Sequence, residues 1–568
     1  MSNYQTAHYD LDESRGHQMI VLDTFKRVAE SIENDVIPAS REDVAISGIE
    51  NPASSLSSSG NIYTTIPLRP VSKDVNFIYN NYLHGRFKIT LQISSFSDAG
   101  TTPHDLAGSL DVAISQLSTA TTFDRIQLLL GNTMIWQNQF QRQEAIAGFA
   151  SLPQELIQTS PEYYTCSKAL NHDPIPGVYV MLSGSNKTAT GKYEVEFIYD
   201  FTIDLSHLSP ILSNMPFTLI ESGDLRLRVF MDHWNEAWNI TPLPSTLAGT
   251  KLSKENFHVI SPQPFGKLFK LTSASIQALA TEENTIAAGA PGEVEYIMVS
   301  GMSWEAVDMG LEIIQSNFSI KESSREAIKS YIASDNKLVI PTQTWSTALA
   351  TNKPSSQTGE IVWQLSAYNI YLLAFLFPYD SSWSCYYPTP PLTSIDIMLN
   401  SKSINYIPYR AIDGRVVKDT IQAFVNDDRY GANEMLLGSL NLPLANNGAG
   451  YNTTAYTQMF SAFDRKESFS PNMCVIAKGL SPPNCFEKGY CYASSNPQSA
   501  QIRFKYSYQT GIDNANALNT LHANQSLTDS NAQPLCLALQ DCCLVLNYNP
   551  QLGVCQSGSV IYAEPSVV

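Results

Sequence analysis

The sequence predicts an all-β chain built from two antiparallel double-sheet units. From Tyr193 to Leu205 every second residue is apolar, while charged residues and threonine take most of the positions between them, the pattern of a strand with one wet face. A similar alternation resumes from Leu225 to Met231, after a turn that contains Pro210. Aromatic residues make up 10% of the chain and charged residues only 15%, which favours pleated layers around a large interior.

The N-terminal region predicts an arm that precedes the compact body. Residues 17–35 have a helical period, with Val21, Phe25, Val28 and Ile32 on one face. This amphipathic helix would lie either on the chain's own body or on a neighbouring subunit or membrane surface. The Ser-rich stretch 51–60 predicts a linker, so we expect the compact part to begin near residues 65–75.

Strand patterns then follow through the first half of the chain. Phe87, Ile89, Leu91 and Ile93 alternate with polar residues, which predicts a strand from residue 85 onward. The other strand candidates here are residues 123–136, 177–182 and 267–273, in addition to the pair at 193–205 and 225–231. Long polar or Pro-containing stretches around 153–176 and 235–254 are expected to be loops.

A second strand series begins after a short predicted helix at 323–332. The apolar run 370–377 is far shorter than the roughly 20 residues that span a bilayer, so it predicts a buried strand. Each half thus has the strands for an eight-stranded double-sheet roll. We predict an N-terminal arm at 1–70, a first roll at 71–325 and a second roll at 326–568. The strand candidates of the second series are 337–340, 361–377, 394–399, 501–508 and 535–548.

The charge balance and the cysteines restrict the partners and the compartment. Lys and Arg total 35 against 53 Asp and Glu, so a net charge of −18 argues against direct binding of nucleic-acid phosphates. The first residues show no basic region followed by an apolar core, and we expect folding in a cytosol. Most of the nine cysteines should then be buried thiols, including the group Cys536, Cys542, Cys543 and Cys555.

The sequence carries no strong signature of catalysis or metal binding. Residues 184–192 superficially resemble a phosphate-binding loop, but the glycines are too far apart and Tyr193 replaces the required Ser or Thr. The histidines are scattered singly, and the acidic stretches 426–428 and 511–514 lack the ligand spacing of a calcium loop. We predict no catalytic, cofactor-binding or metal-binding residues. Glycoside hydrolysis stays open, since it requires only two suitably spaced carboxylates.

Four segments resemble a known family, the double jelly-roll major capsid proteins of double-stranded DNA viruses, of the virophage and Polinton-like type. Residues 193–232 are similar to its long strand, Leu-rich turn and following strand, which here reads Gly-Asp-Leu-Arg-Leu-Arg at 223–228. Residues 123–136 are similar to the preceding strand and tight turn. In the second half, 390–400 and 469–477 resemble the entry into a central strand and a later loop and strand. The resemblance spans roughly residues 75–568.

The resemblance implies an all-β chain of two eight-stranded antiparallel jelly rolls with long inserted loops and an N-terminal arm. It implies a structural major capsid protein, without enzymatic activity or cofactor, that forms homotrimeric pseudo-hexagonal capsomers of an icosahedral shell. The implied partners are other copies, neighbouring capsomers, penton and minor capsid proteins, and an internal membrane reached by the arm. The implied location is the virion capsid, assembled in the host cytoplasm or a virus factory. The alternatives are a carbohydrate- or receptor-binding β-sandwich, such as a spike or lectin, and a β-sandwich glycoside hydrolase.

Overall fold

The structure is a computed structural model of the 568-residue chain. It describes the chain in separate segments. The described residues are 39–52, 55–68, 77–96, 102–105, 110–115, 119–138, 140–150, 179–182, 187–212, 220–232, 239–244, 263–264, 268–271, 295–320, 326, 329–330, 333, 336–352, 358–365, 370–376, 392–399, 402–403, 476–480, 500–508 and 534–561. Below, the first half means the described residues up to 320 and the second half those from 336 onward.

Strands dominate the described residues. In the first half they are β1 (Ala39–Ser47), β2 (Tyr63–Pro67), β3 (Phe77–Phe96), β4 (Leu110–Ser115), β5 (Arg125–Leu130), β6 (Thr133–Gln137), β7 (Tyr179–Leu182), β8 (Lys187–Ala189), β9 (Lys192–Asp204), β10 (Leu225–Phe230), β11 (Asn239–Pro244), β12 (Gln263–Pro264), β13 (Leu268–Leu271) and β14 (Glu295–Ile320). In the second half they are β15 (Lys337–Leu349), β16 (Thr358–Leu365), β17 (Ile370–Leu376), β18 (Leu392–Leu399), β19 (Lys402–Ser403), β20 (Ile476–Gly479), β21 (Ala500–Tyr508), β22 (Leu535–Asn549) and β23 (Val554–Ile561). The helical elements are α1 (Gln141–Ala150), α2 (Leu205–Leu208) and the 3-10 turns Thr119–Thr122, Pro210–Leu212 and Ile220–Ser222.

The strands form five sheets, and the ladders between them are antiparallel. Sheet I has the order β1-β14-β3-β9-β8 with β13 also on β14, sheet II is β2-β10-β5-β6, and sheet III is β12-β11-β4-β7. Sheet IV is β15-β22-β17-β20 with β23 also on β22, and sheet V is β16-β21-β18-β19. The predicted all-β antiparallel class is confirmed. The division into two eight-stranded rolls and the boundaries near residues 70 and 325 stay predictions.

The core of the first half lies where the inner face of sheet I meets sheet II. The predicted alternation on β9 and β10 is confirmed, because the apolar residues at every second position of both strands are buried in this core. Phe201 packs against Phe87 and Phe123 with ring centroids 6.2 and 6.0 Å apart. Gly85 makes room for it, since a Cβ there would lie 2.3 Å from Cζ of the Phe201 ring. These aromatic rings therefore fill part of the space between sheets I and II.

The core of the second half lies between sheets IV and V. Trp363 of β16 and Phe375 of β17 are both fully buried, with ring centroids 5.3 Å apart. The indole Nε1 of Trp363 donates a hydrogen bond to the Pro534 carbonyl at 3.1 Å, so the polar end of the ring is satisfied. The prediction that the apolar run 370–377 is a buried strand is confirmed by β17.

The long strand β14 has one edge covered by three separate chain segments. Residues 295–298 pair with β13, and residues 312–320 pair with β1. Between them, the amide of Ser58 donates to the Trp304 carbonyl and the amide of Ala306 donates to the Leu56 carbonyl, both at 2.9 Å. Covering an edge in this way blocks uncontrolled addition of further strands.

This arrangement corrects the expectation for the N-terminal region. The predicted linker at 51–60 is wrong, because Leu56 is buried in the first core and its neighbours bond to β14. Described strands begin before the expected 65–75, since β1 (Ala39–Ser47) and β2 (Tyr63–Pro67) belong to sheets I and II. A Ser-rich composition suggested mobility, but hydroxyl groups also hydrogen-bond well to a strand edge. The predicted helix at 17–35 lies outside the described residues.

The stretch 235–254 was expected to be a loop, and that expectation is wrong for residues 239–244. These residues form β11, in which Pro242 pairs with Val112 of β4. Proline cannot donate to a ladder and is tolerated only at edges. On the other side of β11 the described pairing with β12 stops at Ile240, so the prolines fall where no described ladder bond requires their nitrogen.

Two glycines with positive φ differ in their surroundings and offer a matched test of the β8–β9 turn. Gly191 has φ +65°, and a Cβ there would lie 2.8 Å from the Ser95 oxygen and from the His104 nitrogen. Gly131 has φ +60° with nothing within 4 Å of its Cβ position. We expect Gly131→Ala to lose about 1–2 kcal/mol from backbone strain alone. Gly191→Ala should lose roughly a further 1–3 kcal/mol from the clash, as measured by denaturant unfolding. Equal losses would contradict the tight turn.

Candidate functional site

The two halves meet across the outer face of sheet IV, and this contact, called the junction, is the most extensive candidate site. On its apolar side, β15 and β22 direct four side chains toward the first half, and these join the same buried cluster as its core. Sheet IV is thus buried on both faces, against sheet V on one side and the first half on the other. The four side chains are Leu338, Ile340, Leu544 and Leu546.

The backbones of the halves approach closely at the junction. A Cβ at Gly223 would lie 2.5 Å from the carbonyl oxygen of Cys555, so only glycine fits there without a shift. A Cβ at Gly558 would lie 3.4 Å from Cγ2 of Ile135, on the edge strand β6 of sheet II. Packing this close indicates a fixed contact, not a sliding one.

The other side of the junction is polar and partly buried. Thr342 of β15 donates from Oγ1 to the Pro210 carbonyl at 2.9 Å. Gln141 of α1 donates from Nε2 to the Leu208 carbonyl at 2.6 Å, which fixes the helix on the α2 segment. Thr347 of β15 donates from Oγ1 to Oε1 of Glu144 on α1 at 3.3 Å. The two threonine hydrogen bonds cross between the halves and fix their relative position, because a shift would leave these groups without their partners.

Glu144 is an unusual group to find at such a contact. It lies in the buried first turns of α1, where Asn138 donates from Nδ2 to its Oε2 at 2.9 Å. Asn138 is itself held by the Ile126 amide, which donates to its Oδ1 at 2.8 Å. Burial raises the pKa of Glu144 to about 8, although the hydrogen bonds from Asn138 and Thr347 act in the opposite direction. The carboxyl group is therefore largely neutral at pH 7.

The thiols of the second half are buried as predicted. Cys536, Cys542 and Cys555 are buried and Cys543 is half-buried, and none of the four is in a disulfide. Burial, with a smaller contribution from Glu221, raises the pKa of Cys555 to about 12. Burial also raises the pKa of Cys536. Thiols with raised pKa values form little thiolate and are poor nucleophiles, so Cys536 and Cys555 act as packing residues.

The outward face of sheet I carries an ordered charge pattern. Arg86 of β3 lies between Asp200 of β9 and Asp308 of β14, and its Nη1 is 2.7 Å from the Asp308 carboxylate. Lys88 lies two residues further along, 2.8 Å from Glu196 and 3.6 Å from Glu305. These groups are exposed, and each pair stabilises the fold only weakly. The face therefore presents charge to the outside in a fixed geometry.

Asp308 occupies a bulge in β14 that contributes to this pattern. The register of β14 against β3 shifts between Ala306 and Leu311, and Asp308 has φ 55°, a conformation that non-glycine residues seldom adopt. The bulge places the Asp308 carboxylate on Arg86 and leaves Met309 exposed. Bulges of this kind are specific features of a sheet, not defects.

A partly exposed ion pair fastens the N-terminal segment to sheet II. Arg228 of β10 places Nη2 2.5 Å from Oε2 of Glu50 and donates from Nε to Thr65 Oγ1 at 2.8 Å. Thr65 of β2 also donates from Oγ1 to Glu50 at 2.8 Å. The hydrogen bond from Thr65, followed by contributions from Arg228 and Arg226, holds the pKa of Glu50 below its ordinary value. Glu50 is thus an anion that ties residues 48–52 to the body.

The sequence predicts no catalytic, cofactor-binding or metal-binding residues. The structure places the loop-like stretch and one of the scattered histidines as follows. The end of the loop-like stretch 184–192 forms the turn between β8 and β9. His84 lies on the charged face, 3.1 Å from Thr202 Oγ1. Within the described segments, no group of three or more His, Cys, Asp or Glu residues could hold a metal ion. The acidic stretches 426–428 and 511–514 lie outside the described residues.

Among the helices that the structure describes, none has the length and apolar character of a membrane-spanning segment.

The polar side of the junction could not be found from sequence. The stretch Gln141–Glu144 contains four consecutive polar residues, a composition typical of a solvated surface, yet all four are buried. Only the packing of α1 against the chain around Thr121, Leu208 and Thr347 reveals their role.

Comparison with known proteins gives similarity to solved viral structures. No family model matches the sequence, and no curated protein matches it. The crystal structure of the mavirus major capsid protein is 10% identical with a TM-score of 0.46, covering 92% of this chain and 90% of that chain. The cryo-EM structure of the Sputnik virophage is 9% identical with a TM-score of 0.46, covering 93% and 89%. The Faustovirus major capsid protein is 8% identical with a TM-score of 0.40, covering 90% and 91%. The mavirus and Faustovirus proteins are major capsid proteins, the kind of protein that the sequence resembles.

Proposed function

We propose that this chain is the structural subunit of a viral shell, a major capsid protein without catalytic activity. The observation that carries the proposal is the junction, where sheet IV is buried on both faces. Because of it, the sheets of the two halves form one block, as a wall panel requires. The segments at 123–136 and 193–232, whose sequence resembles the double jelly-roll capsid family, contribute buried described residues such as Phe123, Phe197 and Leu227 to the core of that block, which adds to the support.

The outer features of the block suit lateral contact with other copies. The edge of β14 is covered along three stretches, so contact through random strand addition is disfavoured. The charged face of sheet I presents exposed carboxylates paired with Arg86 and Lys88, which suits a face that meets neighbours. We propose a closed homotrimer as the capsomer, in which each chain contributes two rolls to a pseudo-hexagonal tile.

The other partners are proposals of the same kind. Neighbouring capsomers, penton and minor capsid proteins would contact the rim of the tile in an icosahedral double-stranded DNA virus. Residues 1–38, which lie outside the described residues, would face an internal membrane or another subunit. The net charge of −18 is the reason that we propose no direct nucleic-acid contact. The location would be the virion capsid, after assembly in the host cell.

The mass and shape of the purified full-length protein test the proposal. We expect light scattering coupled to gel filtration to give three copies of the 62.7 kDa chain. Electron micrographs should show compact tiles that associate at high concentration. A stable monomer that binds glycans would contradict the proposal and favour a lectin-like or receptor-binding protein. Polysaccharide cleavage abolished by one Asp or Glu substitution would favour a hydrolase.

Two N-terminal deletions separate the role of the arm from the stability of the body. Removing residues 1–38 should leave a folded trimer and impair only shell assembly, since these residues precede β1. Removing residues 1–60 should also destabilise the fold, because it deletes β1, Leu56 and the Glu50 carboxylate that pairs with Arg228. Thermal unfolding and light scattering of both variants measure this. Equal stability of the two would show that the segment 39–60 is dispensable.

A further inference from the structure

The polar side of the junction contains one ionisable group that bridges the two halves without an opposite charge beside it. Glu144 receives hydrogen bonds from Asn138 of the first half at 2.9 Å and from Thr347 of the second half at 3.3 Å. Both donors are neutral. An ionised carboxylate here would lack the solvation that water gives it, whereas a neutral carboxyl group fits the site.

No charged group contributes to the shifted pKa of Glu144, and the charged groups on the elements around it are as follows. On α1 itself, Arg142 pairs with Asp124 and donates from Nε to the Thr121 carbonyl at 3.1 Å. On β5, the Arg125 guanidinium lies 3.9 Å from the centroid of the Phe230 ring. The turns Thr119–Thr122 and Pro210–Leu212 contain no charged residue, and β15 has none after Lys337. The α2 segment carries His207, and the carboxylate of Asp204 caps its first turn by accepting from the Ser206 amide at 2.8 Å.

We propose that Glu144 makes the junction a proton-coupled latch: α1 and β15 stay in contact while the carboxyl group holds its proton, and opening of the contact releases that proton. The proposal goes beyond the capsid function and does not depend on it, because it concerns the coupling of two halves within one chain. If the chain does form a shell, the same latch would make the rigidity of each panel depend on pH.

The direction of the pH dependence follows from the two pKa values. In the closed junction the pKa of Glu144 is about 8, against an ordinary value of 4.5 when the group is exposed to water. The contribution of Glu144 to closure is therefore complete below pH 4.5, declines as pH rises, and is lost once pH passes about 8. Between these values each pH unit shifts the opening equilibrium by up to about tenfold, and above pH 8 the shift levels off.

Hydrogen–deuterium exchange on the full-length protein from pH 5 to pH 9 measures the opening directly. After correction for the intrinsic exchange rate, we expect residues 141–150 and 342–349 to open more with rising pH, up to about tenfold per unit, and to reach a plateau near pH 8. Residues 500–508 of β21, remote from the junction, should show no such slope. Glu144→Gln should abolish the slope at α1 and β15. A flat profile in the wild-type chain, or an unchanged slope in Glu144→Gln, would overturn the proposal.

Two further variants keep the test informative. Glu305→Gln changes a carboxylate whose side chain is 62% exposed and should retain the wild-type profile at the junction. Thr347→Val removes the donor from the second half, and since that hydrogen bond lowers the pKa of Glu144, the plateau should move above pH 8. A plateau that stays in place would show that Thr347 does not contact Glu144, which also overturns the proposal. If Glu144→Gln fails to fold, the shift in Thr347→Val still decides the question.

Discussion

Phe197→Asp should prevent the chain from folding. Phe197 points into the core between sheets I and II, and a carboxylate there loses its hydration without gaining a partner. Loss of the ring costs about 3–5 kcal/mol, and the buried charge adds several more. Typical total stabilities are about 5–15 kcal/mol, so little folded protein should be left. We expect insoluble or protease-sensitive protein on expression, with no trimer in gel filtration.

The adjacent residue provides the control. Ile198 lies on the wet face of the same strand with 50% of its surface exposed, opposite Lys88 in the register of β3 and β9. Ile198→Asp should fold normally, with a change in unfolding free energy of less than about 1 kcal/mol. Leu227→Asp on β10 should repeat the severe effect, because that side chain is fully buried. Normal trimers from Phe197→Asp, or failure of Ile198→Asp, would show that the buried face of β9 has been assigned wrongly.

Leu546→Asp should uncouple the two halves. Leu546 belongs to the apolar side of the junction, so a charge at this position destabilises the contact between the halves. In the unmodified chain the junction should make the halves unfold together, as one calorimetric transition. With several kcal/mol of contact energy lost, the less stable half should melt on the order of 10 °C earlier and give a separate transition.

Asn547→Asp is the matched control for the junction. Asn547 follows Leu546 on β22, is exposed, and donates from Nδ2 to Ser557 Oγ at 2.9 Å. Adding a charge here should leave the single transition intact, with at most a small decrease in its midpoint. If Leu546→Asp still melts in one transition, the halves do not depend on the junction for their cooperativity, and the support for a single rigid panel is lost.

The strands with unbroken alternation were predictable, and the longest strand was not. The bounds of β9 and the buried residues of β10 agree with the alternation seen in the sequence. Residues 295–320 were not predicted as a strand, although they form β14. The register of β14 shifts between Val299 and Gly301, between Ala306 and Leu311, and between Gln315 and Ser316. Each shift disturbs the two-residue period, so no long window of β14 shows a single alternation.

The prediction of a linker at 51–60 was wrong for a different reason. Residues 51–60 are rich in serine, and composition alone cannot tell a mobile linker from a segment whose hydroxyl groups and amides bond to a strand edge. The free edge of β14 becomes visible only after the strand is folded, and it is this edge that orders Leu56 to Ser58. The same limit applied to β11, whose prolines suggested a loop until the pairing with β4 was seen.

The sequence by itself determined the all-β class, the buried side of β9 and β10, the buried thiols Cys536, Cys542 and Cys555 and the net acidity, because these depend on composition or on the side chains within a short window. Only the tertiary structure decided which segments cover the edge of β14, how sheet IV joins the halves, and that Glu144 is buried between them. Those features arise from contacts between residues as far apart as Glu144 and Thr347, 203 positions along the chain, and no local pattern records such a distance.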